Sequence, residues 1–325
     1  MRVLVIGGSG FIGSRFIPVL QSRGHEVHNF DQVDSRVVDG ITTIGDVTET
    51  DALAAAAAGH DVIVNLAAAH RDDVRPVSLY DTVNVGGARA VVAAATRNGI
   101  DRILFTSTVA VYGLDKNDVA EDSAPEPFND YGRTKLEAEQ VLRTWAAEKP
   151  GRSLVIVRPS VVFGEGNRGN VYTLARQVSS GRFLMVGDGS NRKSMTYVGN
   201  IVEYLADLIA APPGVQTTNY ADKPDLSTRE LVDVLRAATK ITGAGRIRLP
   251  LTLALAAGHT LDLVARISRR TFPISAIRIR KFVSDTTVNT DRLNSTGYRP
   301  RFELSEGIRR TIAAEFPMTE RQKKR

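Results

Sequence analysis

The sequence of 325 residues predicts an α/β fold, a doubly wound parallel sheet followed by a smaller C-terminal lobe. Short apolar runs, such as residues 3–6, 61–66 and 103–106, alternate with longer segments of helical period. A glycine-rich turn follows the first run directly, and the regular alternation stops after Gly164. Strands that alternate with helices are joined by right-handed crossovers, which makes the sheet parallel.

The first strand and the turn after it predict a dinucleotide site. Residues 3–6 are all apolar, as in a strand buried on both faces, and residues 7–13 read GGSGFIG. Gly7 permits a tight turn, Gly10 lets the backbone approach a pyrophosphate, and Gly13 lets the new helix pack closely. The N–H groups at the start of that helix then face the anion.

The second strand carries the residue that distinguishes two cofactors. Residues 25–30 are followed by Asp31, which lies about 20 positions after the glycines, where a carboxylate grips a ribose hydroxyl. A carboxylate repels a 2′-phosphate, so NAD is expected in preference to NADP. Arg36 keeps NADP open as an alternative, because a nearby guanidinium can accept that phosphate.

The next elements complete the first half of the sheet. We expect a helix over residues 11–23, a strand over 41–44 and a helix over 50–58. Asp46 lies between that strand and the second helix. It could accept from the adenine amino group, cap the helix, or do both.

The strand over residues 61–66 runs into three alanines, residues 67–69. Small residues at the carboxyl end of a central strand leave room for a dinucleotide over the backbone. His70 and Arg71 follow at the mouth of the same crevice, where they are either solvated surface or a contact to phosphate or substrate.

A long helix over residues 76–98 carries Asn84, and the strand over 103–106 ends at Ser107 and Thr108. Ligands of doubly wound sheets collect outside the carboxyl ends of the strands. The glycine turn, the alanines and Thr108 are therefore expected to line one crevice.

Tyr131 and Lys135 lie on a helix predicted over residues 131–148, four positions apart and hence on one face. A strand over residues 153–159 follows, and then a helix over 171–180. The expected domains are a dinucleotide-binding domain over 1–165 with a segment returning near 194–222, a substrate lobe over 166–193 and 223–316, and a basic tail over 317–325.

A phenol one helical turn before a lysine has a clear chemical use. Free tyrosine ionises near pH 10, and an ammonium within about 4–6 Å, with the positive charge of an oxidised nicotinamide, lowers that pKa. Tyr131 can then take a proton from a substrate hydroxyl while hydride leaves the same carbon. Lys135 would also hold the nicotinamide ribose, and Thr108 would bond the reacting oxygen. An ordinary surface pair at this spacing is the alternative.

Composition narrows the class of protein. Without cysteine there are no disulfides or thiolate metal sites, and no metal is expected. The absence of a visible secretory signal leads us to expect a cytoplasmic protein. The apolar stretch 249–258 is too short to span a bilayer.

The net charge of +6 is concentrated at the C-terminal end, where residues 246–325 carry 17 Lys and Arg against 7 Asp and Glu. Either an anionic substrate or an acidic polymer or lipid surface would explain that excess. The basic stretches are not interleaved with aromatic residues, so we expect no binding of nucleic acid.

Taken together, the motifs resemble the extended short-chain dehydrogenase/reductase family, in its NAD-dependent nucleotide-sugar epimerase and dehydratase branch, which has a Rossmann fold. The matching motifs are residues 7–13, Gly45-Asp46-Val47, Asn65-Leu66-Ala67-Ala68, Asn84-Val85, Thr106-Ser107-Thr108, Val111-Tyr112-Gly113, residues 131–135 and Arg158-Pro159. The resemblance reaches to about Phe316.

The resemblance and the residues together imply a set of site residues. The catalytic residues are Tyr131, Lys135 and Thr108. The cofactor-binding residues are Gly7, Gly10, Phe11, Ile12, Gly13, Asp31, Arg36, Asp46, Val47, Leu66, Ala67, Ala68, Asn84, Ser107, Tyr131, Lys135 and Pro159. The substrate-binding residues are His70, Thr108, Asn170, Arg192, Lys193, Arg278 and Arg280, of which the later ones would hold a diphosphate.

The implied activity is epimerisation of a nucleoside diphosphate sugar, of the UDP-sugar 4-epimerase type, through a 4-keto intermediate. Family dehydratases carry Asp-Glu after the catalytic threonine, whereas Val109 and Ala110 stand here, which argues against dehydration. A keto-sugar reductase using NAD(P)H is the alternative. Two further alternatives are a steroid-type dehydrogenase, suggested by apolar residues 251–267 beside Arg269 and Arg270, and an NAD sensor without turnover. A homodimer through helices 76–98 and 131–148 is expected by analogy.

Overall fold

The computed structural model describes residues 1–71, 74–239, 248–268 and 276–316. The strands are β1 (Arg2–Ile6), β2 (Glu26–Asp31), β3 (Thr42–Ile44), β4 (Val62–Asn65), β5 (Arg102–Thr106), β6 (Lys116–Val119), β7 (Ser153–Pro159), β8 (Val161–Phe163), β9 (Met185–Val186), β10 (Arg192–Tyr197), β11 (Gly214–Tyr220), β12 (Asp222–Ser227), β13 (Arg248–Leu249) and β14 (Thr286–Val288). The helices are α1 (Gly13–Ser22), α2 (Thr50–Ala57), α3 (Ser78–Tyr80), α4 (Gly87–Arg97), α5 (Asp130–Ala147), α6 (Asn170–Ser179), α7 (Val198–Leu208), α8 (Thr228–Thr239), α9 (Leu251–Ser268), α10 (Ala276–Val283), α11 (Asp291–Ser295) and α12 (Leu304–Glu315).

The larger sheet has seven strands in the order β11-β7-β5-β4-β1-β2-β3, and every neighbouring pair is parallel. This confirms the predicted α/β, doubly wound fold. The strand order reverses between β1 and β4, so the carboxyl ends of these two strands form the crevice in which such sheets bind ligands.

The sheet is buried on both faces, as the unbroken apolar run of β1 predicts. Val3 and Val5 pack on one side, with residues of α1 and α7. Leu4 and Ile6 pack on the other side, with residues of α2, α4 and α5. Successive strand residues point to opposite faces, so a strand covered by two helical layers needs apolar residues at every position.

The smaller lobe is organised on a second sheet, β12-β10-β14-β6, with β8 also paired to β10. Its strands come from several parts of the chain. Strands β6 and β8 lie inside the range 1–165, and β10 lies partly in the segment expected to return to the first domain. That segment does supply β11 to the large sheet. The domain boundaries stay a prediction, and residues 317–325 lie outside the described residues.

The single helix expected over residues 76–98 is wrong in detail. The chain forms α3, then a π-helical segment at Asp81–Gly86, then α4. A π-helical turn repositions side chains and often marks a functional site. Here it carries Asn84, whose side chain bonds outside the helix. Within the described residues, no helix has the length and apolar content to cross a bilayer.

Candidate active site

The glycine turn has the close approach that its sequence predicts. Gly7 adopts φ +81°, and a Cβ atom there would lie 2.7 Å from the backbone nitrogen of Ala67. A Cβ atom on Gly13 would lie 2.4 Å from the Cα of Gly8. The turn after β1 and the turn after β4 therefore touch, and a side chain at either glycine would force them apart.

The start of α1 offers hydrogen-bond donors to an anion. In the part of the chain that the structure describes, the backbone N–H groups of Phe11, Ile12 and Gly13 have no hydrogen-bond partner. The N–H of Ser9, by contrast, donates to the Asp31 carboxylate at 2.9 Å. Unpaired donors at a helix N-terminus behind a glycine turn fit the pyrophosphate of a dinucleotide.

Asp31, at the end of β2, and Asp46, just after β3, accept hydrogen bonds from different parts of the chain. Asp31 accepts from the backbone N–H groups of Ser9 and Val33, and its carboxylate lies at the carboxyl end of β2. Asp46 accepts from Thr48 and Gln32, whereas the N-cap of α2 is Glu49. The interpretation of Asp46 as the cap of that helix is therefore wrong, and its contact with adenine stays a prediction.

The remaining predicted cofactor residues lie around the same strand ends. Asn84 accepts from the N–H of Ala69 at 2.9 Å and donates to Thr134 at 2.9 Å. It thus joins the alanine turn to α5 and positions both. Arg36 is exposed, and Val47 is buried against Gly87. Leu66, Ala67, Ala68 and Pro159 lie at or just after the carboxyl ends of β4 and β7.

The predicted catalytic residues lie in the first turns of α5 and just after the end of β5. The Asn129 side chain accepts from the N–H of Gly132 at 2.9 Å and so begins α5. This places Tyr131 in the first turn, where the Thr108 side chain is its hydrogen-bond partner. One turn later, the ammonium of Lys135 lies 4.0 Å from the centre of the Phe105 ring.

In the protein without cofactor, burial has the largest effect on the pKa values of Tyr131 and Lys135. It raises the pKa of Tyr131 to about 12, and the hydrogen bond with Thr108 opposes that rise. It lowers the pKa of Lys135 to about 7, against the attraction of Glu139. Without cofactor, the pKa of Tyr131 is therefore raised, because the buried phenolate loses its hydration. The lowering expected with a charged Lys135 and an oxidised nicotinamide stays a prediction.

A buried charge network supports the triad, and the sequence reasoning missed it. The Glu139 carboxylate accepts from the Ser107 hydroxyl at 2.5 Å and from the Arg158 guanidinium at 2.6 and 2.9 Å. Arg158 also donates to the Tyr112 hydroxyl at 2.6 Å. Glu139 lies one helical turn after Lys135, so the spacing of Tyr131, Lys135 and Glu139 was the signal available in the sequence.

Three of the residues predicted to bind a diphosphate contact other parts of the protein in the structure. Lys193 donates to the carbonyls of Lys281 and Ser284 at 2.9 Å, so its ammonium caps the end of α10. Burial lowers the pKa of Lys193 to about 8. Arg192 donates to the carbonyl of Asp225, and Arg280 lies 3.9 Å from Asp115.

The other three predicted substrate residues, His70, Asn170 and Arg278, are exposed. His70 contacts the carbonyl of Ala68 at 3.3 Å, and Asn170 is the first residue of α6. Within the described ranges, no hydrogen bond or ion pair joins Asn170 to Arg192 or Lys193. Their shared role stays a prediction.

The comparisons with known proteins agree with this geometry. The model of the "NAD dependent epimerase/dehydratase family" matches residues 3–220. The chain is 44% identical over 318 residues to the N-acetyl-α-D-glucosaminyl-diphospho-ditrans,octacis-undecaprenol 4-epimerase of Escherichia coli O157:H7, covering 97% of this chain and 95% of that one. It is 30% identical to a 2-alkyl-3-oxoalkanoate reductase of Stenotrophomonas maltophilia, covering 97% and 99%.

A solved structure shares the fold. The UDP-glucose 4-epimerase of Thermus thermophilus, in complex with NAD, superposes with a TM-score of 0.76 over 98% of this chain and all of that one, at 22% identity. The family match therefore agrees with the two motifs of the site, which are the glycine turn and the pair of Tyr131 and Lys135. The chain belongs to the NAD-dependent epimerase/dehydratase family and is an epimerase or oxidoreductase of the extended short-chain dehydrogenase/reductase class.

Proposed function

We propose that this protein is an NAD-dependent 4-epimerase of a sugar joined through a diphosphate to its carrier. The observation that carries the proposal is the hydrogen bond between Tyr131 and Thr108 just after β5, with the Lys135 ammonium against the Phe105 ring of the same strand. The relative that is 44% identical supports it, since its name gives a 4-epimerase of a diphosphate-linked sugar. The carrier is a nucleoside, as the motifs imply, or a polyprenol, as in that relative.

Each residue of the triad has a defined task in this reaction. Tyr131 takes the proton of the sugar 4-hydroxyl and later returns it, while Thr108 donates a hydrogen bond to the reacting oxygen. NAD held by the glycine turn and Lys135 would supply the acceptor for the hydride of C4 and its donor to the opposite face. The sugar turns over in the site between these two transfers, so its keto form must be held without release.

Lys135 is placed to hold the cofactor. Within the described residues its buried ammonium has no hydrogen-bond acceptor, so its donors are available to a ribose hydroxyl. A ligand that accepts from the ammonium favours the charged form, which raises its pKa from about 7. A charged Lys135 in turn favours the phenolate of Tyr131, which burial alone disfavours.

NAD is proposed in preference to NADP. Asp31 lies at the end of β2, about 20 residues after the glycine turn, where its carboxylate would meet the adenosine ribose. A 2′-phosphate would be repelled there, while Arg36 is exposed on the loop that follows. The homodimer through α4 and α5 is likewise a proposal, made by analogy with the family.

The direct test is to incubate the purified protein and NAD with UDP-N-acetylglucosamine, and separately with the same sugar on a polyprenyl diphosphate. Conversion of either substrate to its 4-epimer, with no net formation of NADH, supports the proposal. Stoichiometric loss of NADH on a keto sugar, without epimerisation of either substrate, would make the protein a reductase instead. The reductase that is 30% identical makes this second outcome worth measuring.

A further inference from the structure

Helix α9 presents an apolar face to solvent. Leu253 is 59% exposed and Val264 is 42% exposed. Ala256 and Thr260 are also exposed and continue the same outward stripe at helical spacing. The opposite face is buried: Ala254 is in the core, and Gly258 lies against Ala276 of α10.

The sequence of α9, α10 and the residues beside them is rich in cations. Residues 248–268 and 276–284 contain five Lys or Arg residues and one acidic residue, Asp262. Asp262 is turned inward and accepts from the N–H of Ala276 at 3.0 Å. On α10, Ile277 is 51% exposed and stands beside the exposed Arg278 and Arg280. The described outward side thus combines large apolar side chains with positive charge.

The α9–α10 face is defined here as Leu253, Ala256, Val264, Ile277, Arg278 and Arg280. It adjoins the candidate active site through the end of α10, because the Lys281 ammonium lies 5.0 Å from the centre of the Phe128 ring. Phe128 directly precedes Asn129, the N-cap of α5, and Tyr131 follows two residues later. A molecule anchored at this face would therefore be held near the catalytic helix.

We infer that the α9–α10 face docks on an anionic lipid bilayer and that the sugar substrate is presented from there on a polyprenyl diphosphate. The inference rests on the proposed function for the identity of the reaction. Exposed apolar side chains beside cationic ones match the acyl boundary and the anionic headgroups of a bilayer. A peripheral contact needs no spanning helix, and the described helices include none.

A second copy of the chain fits this face less well. A two-fold interface pairs a patch with itself, so Arg278 and Arg280 of both copies would come together. Like charges brought together in an interface oppose association. An anionic bilayer removes this repulsion, whereas a second copy doubles it.

The test is flotation of the full-length protein with vesicles of phosphatidylcholine alone and of phosphatidylcholine mixed with phosphatidylglycerol. We expect flotation with the mixed vesicles, and weaker flotation at high salt. The double variant Leu253→Gln/Ile277→Gln should reduce partitioning roughly tenfold or more, since two exposed apolar side chains are lost from the contact. The matched control is Val215→Gln, which changes a 45% exposed side chain on the edge strand β11 and should float like wild type.

The activity of the same variants links the face to the substrate. The double variant should epimerise UDP-N-acetylglucosamine as wild type does, but lose roughly tenfold in kcat/KM on the polyprenyl diphosphate sugar in mixed vesicles. Equal flotation of wild type and double variant, or no flotation, would overturn the inference. So would a dimer that the double variant dissociates in size-exclusion chromatography. Flotation without turnover of either substrate would overturn the proposed function and leave the docking surface standing.

Discussion

The Arg158 guanidinium donates a hydrogen bond to each carboxylate oxygen of Glu139, from Nε to Oε1 at 2.9 Å and from Nη2 to Oε2 at 2.6 Å. The Glu139 side chain is 1% exposed and also accepts from the hydroxyl of Ser107, the residue before Thr108. This pair therefore ties α5, which carries Tyr131, to the ends of β5 and β7. We regard Glu139 as a positioning residue for the triad.

Glu139→Gln should destabilise the protein by about 3–5 kcal/mol, because Arg158 would remain buried without its counter-charge. Urea unfolding measures this change. The matched control is Glu137→Gln on the same helix, whose carboxylate is 46% exposed and pairs with Arg133. That control should cost less than about 1 kcal/mol. Equal unfolding midpoints for the two variants would show that the buried pair has no special role.

Gly7→Ala should weaken NAD binding and lower stability together. The alanine would adopt φ +81°, and its Cβ atom would lie 2.7 Å from the Ala67 nitrogen, so the two turns of the crevice must separate. Gly99→Ala is the matched control, since Gly99 has φ +65° and nothing within 4 Å of the added atom. The control should lose only the backbone cost of about 1–2 kcal/mol.

Thermal unfolding with and without NAD separates these two effects. We expect NAD to raise the melting temperature of Gly99→Ala as much as that of wild type, and that of Gly7→Ala much less. A full NAD-induced shift in Gly7→Ala would contradict the close approach at the glycine turn.

Lys135 should impose a pH dependence on the stability of the protein without cofactor. Its pKa falls from 10.5 to about 7 on folding, so between these values the unfolded chain binds more protons than the native state. The contribution of Lys135 to the free energy of unfolding therefore rises with pH across this window. Below about pH 7 the penalty for burying the ammonium is complete.

Lys135→Met removes that titration. The stability advantage of the variant over wild type should be largest near pH 6 and should shrink towards pH 9, as measured by urea unfolding at each pH. A difference independent of pH would show that Lys135 keeps an ordinary pKa in the native protein.

The sequence predicted the large sheet well because its signals are local. The apolar runs of β1, β4 and β5, and the glycines of residues 7–13, depend on burial and backbone conformation at one place in the chain. The π-helical segment around Asn84 could not be predicted in this way. Its Asn84 side chain bonds to Ala69 and Thr134, and Thr134 is 50 residues away, so no local pattern marks the segment.

The candidate site was predictable only in part, because several of its contacts join residues that are distant in the sequence. The spacing of Tyr131 and Lys135 placed both on α5, but Arg158, the partner of Glu139, is 19 residues further along the chain, on strand β7. The direction of the Tyr131 pKa also depends on how deeply the phenol is buried, and burial is a property of the folded chain. The role of Lys193 as a cap of α10 likewise required the structure.

Asp31→Asn should narrow the preference for NAD over NADP. The charge that would repel a 2′-phosphate is lost, while the side chain keeps its size and can still accept from the N–H of Ser9. We expect the ratio of the two dissociation constants to fall roughly tenfold, which corresponds to about 1.4 kcal/mol. Cofactor titration measures both constants. An unchanged ratio would place the discrimination elsewhere, with the exposed Arg36 as the first residue to examine.

The central claim is that Tyr131 moves a proton while hydride leaves and returns to the same sugar carbon. The most direct measurement follows a substrate labelled with deuterium at C4, with mass analysis of the 4-epimer made by wild type and by Tyr131→Phe. We expect the epimer to retain the deuterium, and Tyr131→Phe to lose about 10²–10⁴-fold in turnover while still binding NAD. Exchange of the deuterium with solvent, or full turnover by Tyr131→Phe, would contradict this account.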